Sequence, residues 1–229
     1  MPVDEEVTHV IWQDPSMYDS MQHGPPYLPT MGGRIASVQQ VVKQASSKHF
    51  AFLRSKLAGG LECYFRATLA LMRAASLIHQ THHWQTRGQS YYGDHLLFER
   101  LYNDSQGMID SLAERSVSLF GYHVVDANVQ TAAIGEFVAH IYGTREEQLT
   151  GSESYPRVSL QAELLMLLLL KMVYEATNSE GKLSLGMDNL LQGVADNHEQ
   201  FVYLLQQRIA ACSGPVKQAS MDPWKAWVK

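Results

Sequence analysis

Residues 83–115 read HWQTRGQSYYGDHLLFERLYNDSQGMIDSLAER. From Tyr91 the stretch holds no proline and continues as a helix to about Leu119, with Ser90 placed to act as its N-cap. A helix turns about 100° per residue, so His95, Glu99, Asp110 and Glu114 fall at roughly 0°, 40°, 60° and 100° around one axis, a single stripe. The rise of about 1.5 Å per residue separates Glu99 from Asp110 by about 16 Å, too far for one ion to touch both pairs of the same chain. A two-fold dimer that lays this helix antiparallel to its own copy brings His95 and Glu99 of one chain against Asp110 and Glu114 of the other, because isologous contacts are reciprocal. The stripe therefore predicts two identical metal sites at a dimer interface, and His83 lies at the end of the preceding helix.

Working outward, Leu61 to Trp84 has apolar residues Phe65, Leu69, Met72, Ala75 and Ile78 at helical spacing. Gly121 ends the helix that bears the stripe. Asp126-Ala127-Asn128 opens a shorter apolar helix from Val129 to about Tyr142, followed by a polar loop to Pro156. A further long helix covers about 158–177, Asn178-Ser179-Glu180-Gly181 makes a loop, and a last helix runs from about Leu185 to Ala211. Four long helices with a short one in the crossover between the second and third predict an all-α, ferritin-like four-helix bundle. The bundle is expected over residues 35–212, with 35–58 an extra helix or an extension of the first.

Five prolines and three glycines within residues 1–34 predict an irregular N-terminal arm, and Ser213-Gly214-Pro215 opens a C-terminal tail over 213–229. The chain has 229 residues and a formal net charge of -5, which argues against a basic nucleic-acid binder. Its two cysteines, Cys63 and Cys212, form neither a disulfide framework nor a thiolate metal motif. The first residues carry no basic-then-apolar leader pattern, so a cytoplasmic location is expected. The longest apolar run, Leu164 to Leu170, is far short of the roughly 20 residues of a membrane span and reads as helix core.

The segments His83-Trp84 with Gly88, His95 with Glu99, and Asp110 with Glu114-Arg115 resemble the signature of the Dps family of mini-ferritins. That signature reads H-W-x-x-x-G, then H-x-x-x-D, then D-x-x-x-E-R at the same separations, and Glu99 stands where the family usually has Asp. The resemblance implies a hollow homo-oligomer, a dodecamer, that oxidises Fe(II) with hydrogen peroxide or dioxygen at inter-subunit ferroxidase centres and stores the Fe(III) mineral inside, protecting against oxidative stress. His83, His95 and Glu99 would come from one chain and Asp110 and Glu114 from its partner, with Trp84 beside the iron.

Other residues compete for attention. His79 and His82 lie near His83, but a solvated or core-satisfied histidine is the expected role for both. His198 suggests the Glu-x-x-His pattern of in-bundle di-iron proteins, yet Ala195 stands where that Glu would be, and the second helix has Glu99-x-x-Tyr102 instead. A rival function is a shell protein that binds DNA or a partner, with a vestigial metal site. Residues 1–33 contain no Lys or Arg, and Lys217, Lys225 and Lys229 beside Trp224 and Trp227 would bind phosphate only weakly, so DNA is not the favoured partner. The same ligands would also accept zinc or manganese.

Overall fold

The structure, a computed structural model, describes residues 49–143 and 154–211. The N-terminal arm, residues 35–48, the loop over 144–153 and the C-terminal tail lie outside the described residues. The chain divides into two units, Met1–Ala58 and Gly59–Lys229. In the first, residues 49–56 are helical and Leu53 and Leu57 are buried.

The second unit contains α1 (Leu61–Gln85), α2 (Tyr91–Phe120), a 3-10 turn (Tyr122–Val125), α3 (Ala127–Gly143), α4 (Tyr155–Ser179) and α5 (Leu185–Ala211). No strand occurs among the described residues. The helices expected between Leu61 and Ala211 are all present, within a few residues of the expected ends, while the extra helix expected over 35–58 lies mostly outside the described residues.

The central helix is α1, which packs against α2, α3 and α4. Residues 67–76 are accordingly buried on every side except at Arg73, a pattern that belongs to a helix surrounded by others. Ala67, Ala70, Ala74 and Ala75 leave room for three neighbours to approach.

The core stripe of α5 is Met187, Leu191, Val194, His198, Phe201 and Leu205, spaced three or four residues apart. Phe98 and Leu101 of α2 pack with Phe201 and Leu205 of α5 in one cluster. In α4 the apolar run splits by helical period, with Leu165, Met166, Leu169 and Leu170 buried and Leu164, Leu167 and Leu168 half-buried. His79 of α1 meets Glu163 of α4 while His82 meets Ser159, so α1 and α4 run antiparallel.

The helix ends have identifiable causes. Gly121 stops α2 at φ 88°, a left-handed conformation that costs glycine nothing, and its N–H bonds Val117 O at 2.9 Å. Asp126 Oδ1 accepts the N–H groups of Asn128 and Val129, capping α3. Pro156 sits in the first turn of α4, where its missing N–H has no helical partner to lose. Ser90 precedes α2 as expected but makes no side-chain cap bond; its hydroxyl is spent on Asp94.

Candidate metal centre

The turn over 86–90 folds the end of α1 back onto the start of α2, which sets His83 beside His95. Gly88 takes φ 85° there, which favours glycine. Thr86 Oγ1 donates to His83 O at 3.0 Å and Tyr91 N–H to Gly88 O at 3.1 Å, closing the turn.

The two imidazoles stack with centroids 3.7 Å apart and planes 22° from parallel. Each is tied to the other's main chain: His83 Nδ1 lies 2.9 Å from His95 O, and His95 Nδ1 lies 3.1 Å from His83 O. A carbonyl oxygen only accepts, so both Nδ1 atoms carry the hydrogen, and in the neutral rings both Nε2 atoms keep the lone pair. Holding one ring nitrogen on a carbonyl so that the other is ready as a ligand is how metal-binding histidines are commonly oriented. Tyr91 stacks on the outer face of His95 at 5.1 Å, and Tyr102 meets His83 edge-on at 5.4 Å.

Glu99 lies one turn beyond His95 and is half-buried, whereas Asp110 and Glu114 are exposed and sit three to four turns further along α2. The fold thus brings His83 and His95 together, keeps Glu99 one turn beyond His95 on the same helix, and leaves the acidic pair apart. Among the described residues, no three His, Cys, Asp or Glu side chains converge to hold an ion within one chain. Trp84, adjoining His83, is 68% exposed, and Tyr92 and Leu96 at the start of α2 are also exposed.

A second polar cluster lies in the bundle centre. Glu163, completely buried, has His79 Nε2 at 2.6 Å on one oxygen and His198 Nδ1 at 2.5 Å on the other. Ser159 Oγ links His79 Nδ1 at 3.0 Å to His82 Nδ1 at 2.9 Å, and His82 Nε2 reaches Tyr142 OH at 3.0 Å. Burial alone would push the Glu163 carboxyl up. The charge and hydrogen bond of His198, joined by those of His79, outweigh it and hold the carboxyl at about 2.

A metal bonded to both imidazole nitrogen and carboxylate oxygen sits about 2.0–2.2 Å from each. Nitrogen-to-oxygen gaps of 2.5–2.6 Å instead fit a shared proton. His79 and His82 are therefore the core-satisfied histidines expected, whereas His198 pairs with Glu163 through Nδ1 and its buried Nε2 has no hydrogen-bond partner.

Glu163 was legible only as the residue before an apolar run, although Ser159, Glu163, Met166 and Leu170 share one helical face. Asp94 and Arg208 were not legible as partners at all. They meet near the site, Arg208 Nη2 donating to Asp94 Oδ2 at 2.9 Å and Arg208 Nε to Asp94 Oδ1.

The architecture matches solved structures. Dps from Thermosynechococcus elongatus superposes with a TM-score of 0.54 at 21% identity, over 70% of this chain and 94% of that one. DpsC from Streptomyces coelicolor gives 0.53 at 23% identity, over 65% and 85%. The Dps protein from Vibrio cholerae O1, described as a member of a broad superfamily of ferritin-like diiron-carboxylate proteins, gives 0.53 at 21% identity, over 65% and 88%. No family model and no curated protein matches the chain. The fold is Dps-like and ferritin-like, and no helix among the described residues is long and apolar enough to cross a membrane.

Proposed function

We propose that this chain is an iron-oxidising mini-ferritin subunit. His83, His95 and Glu99 of one copy and Asp110 and Glu114 of a second would bind Fe(II) at a two-fold interface. The observation that carries the reading is the reciprocal His83–His95 pair, whose Nδ1 atoms are both held by main-chain carbonyls so that both Nε2 lone pairs are left for an ion.

Imidazole nitrogen with carboxylate oxygen suits Fe(II), and the negative carboxylates favour Fe(III), so such a set assists electron loss to hydrogen peroxide or dioxygen. Glu99 reaches one methylene further than Asp and coordinates all the same. Trp84 would stand beside the iron.

Exposed Trp84, Tyr92 and Leu96 around the pair supply apolar surface for a second copy to cover. Antiparallel pairing of α2 would then join the acidic residues to the histidines. The likeness of the fold to Dps structures supports a hollow homo-oligomeric shell, a dodecamer, in which the oxidised iron is stored as mineral in the cytoplasm. The Vibrio cholerae protein's description as a diiron-carboxylate relative supports iron as the substrate.

The test is stopped-flow oxidation of Fe(II) by the His83→Ala/His95→Ala double variant. Loss of the fast phase with the oligomer intact is expected; an unchanged rate refutes the assignment. Anomalous scattering at the iron edge from a soaked crystal should place the metal between two copies of α2.

A further inference from the structure

We infer that Arg208, in the last turn of α5, is a positioning residue for the His83–His95 metal pair, acting through Asp94. The inference rests on the metal-centre reading above.

The two rings are held by main-chain carbonyls, so their geometry depends on where the first turns of α2 sit relative to the last turn of α1. A shift of one helix end against the other loosens both Nδ1–H···O bonds together. The turn between them contains Gly88 in a conformation few other residues adopt, and Ser90 supplies no cap bond to α2.

A clamp from α5, which packs against α2, fixes that helix end instead. Arg208 Nη2 donates to Ser90 Oγ at 2.8 Å and to Asp94 Oδ2 at 2.9 Å. Arg208 Nε donates to Asp94 Oδ1, and Ser90 Oγ–H donates to Asp94 Oδ2 at 2.9 Å, closing a ring of hydrogen bonds. Asp94 is 1% exposed and directly precedes His95.

A two-pronged guanidinium–carboxylate contact fixes direction as well as distance. Taking both charges out of water offsets most of their attraction, so a well-packed apolar pair would hold the helices as firmly. What the apolar pair would lack is the angular restraint on residues 90–95, and that restraint is the role assigned to Arg208.

The experiment is Co(II) titration of the full-length oligomer, read by its visible absorption, with three proteins beside the wild type. His83→Ala/His95→Ala tests the underlying reading and should lose the band; its retention would overturn the metal centre and the inference with it. Asp94→Leu/Arg208→Met replaces the clamp by an apolar pair. It should keep helix content and assembly yet bind Co(II) about 10- to 100-fold more weakly, the range seen when outer-shell partners of metal ligands are lost.

Wild-type affinity and band shape in that variant, with the histidine variant silent, would overturn the positioning role alone. Should the apolar pair not assemble, Arg208→Lys, which keeps the charge but loses the two-pronged geometry, decides the question by the same titration.

Discussion

Glu163 and His198 meet at 2.5 Å across the α4–α5 interface, and the second Glu163 oxygen is taken by His79 of α1. One carboxylate thereby joins three helices at a depth where an unpartnered charge would be prohibitive.

The carboxyl is held at about 2 against an ordinary 4.5, so its contribution to stability is complete above pH 4.5 and is lost as pH falls toward 2. Glu163→Gln sets an amide N–H₂ against one imidazole N–H and should cost about 3–5 kcal/mol near neutrality. Between pH 5 and pH 3 the wild type should lose more stability than this variant. Urea midpoints at one protein concentration measure both, and parallel pH profiles would count against the assignment.

Leu101 is fully buried in the cluster that joins α2 to α5, whereas Leu185 at the start of α5 is 90% exposed. Leu101→Ala should cost about 2–5 kcal/mol, since both transfer and cavity terms apply. Leu185→Ala should stay within about 0.5 kcal/mol. Thermal unfolding of the two variants compares them, and equal midpoints would contradict the packing.

If each iron site draws His83, His95 and Glu99 from one copy and Asp110 and Glu114 from another, variants lacking either half should be slow alone. Co-assembled, His83→Ala/His95→Ala and Asp110→Asn/Glu114→Gln should recover about a quarter of the wild-type sites, because half of randomly paired dimers are mixed and each has one intact centre. Rates of Fe(II) oxidation by the co-expressed mixture decide it. A mixture no faster than its components would place the site within single chains.

Tyr92 and Leu96 lie one turn apart on α2, with 72% and 44% of their surface open in the single chain. Tyr92→Glu/Leu96→Glu adds two like charges to a face proposed to meet its own copy, and should shift the protein toward monomers in light scattering after size exclusion. A variant that assembles as fully as the wild type would move the interface elsewhere.

Helical periodicity is a local property, and it made the bundle, its crossover helix and the His95-to-Glu114 stripe readable before any coordinates. The core stripe of α5 was equally periodic, and it passed through His198. What periodicity could not supply was the other side of that contact. Buried His198 finds its partner in Glu163, and which residue of α4 faces it depends on how the two helices are set in depth and rotation.

Residue order by itself therefore determined the helices, their succession and the shared stripe of His95, Glu99, Asp110 and Glu114, because each follows from spacing along one axis. Tertiary structure alone decided which nitrogen of His83 and His95 is left for an ion, and that Arg208 reaches back 114 positions to hold Asp94. Hydrogen-bond direction and ion pairing act over about 3 Å in space, and packing brings such partners together whatever their distance along the chain.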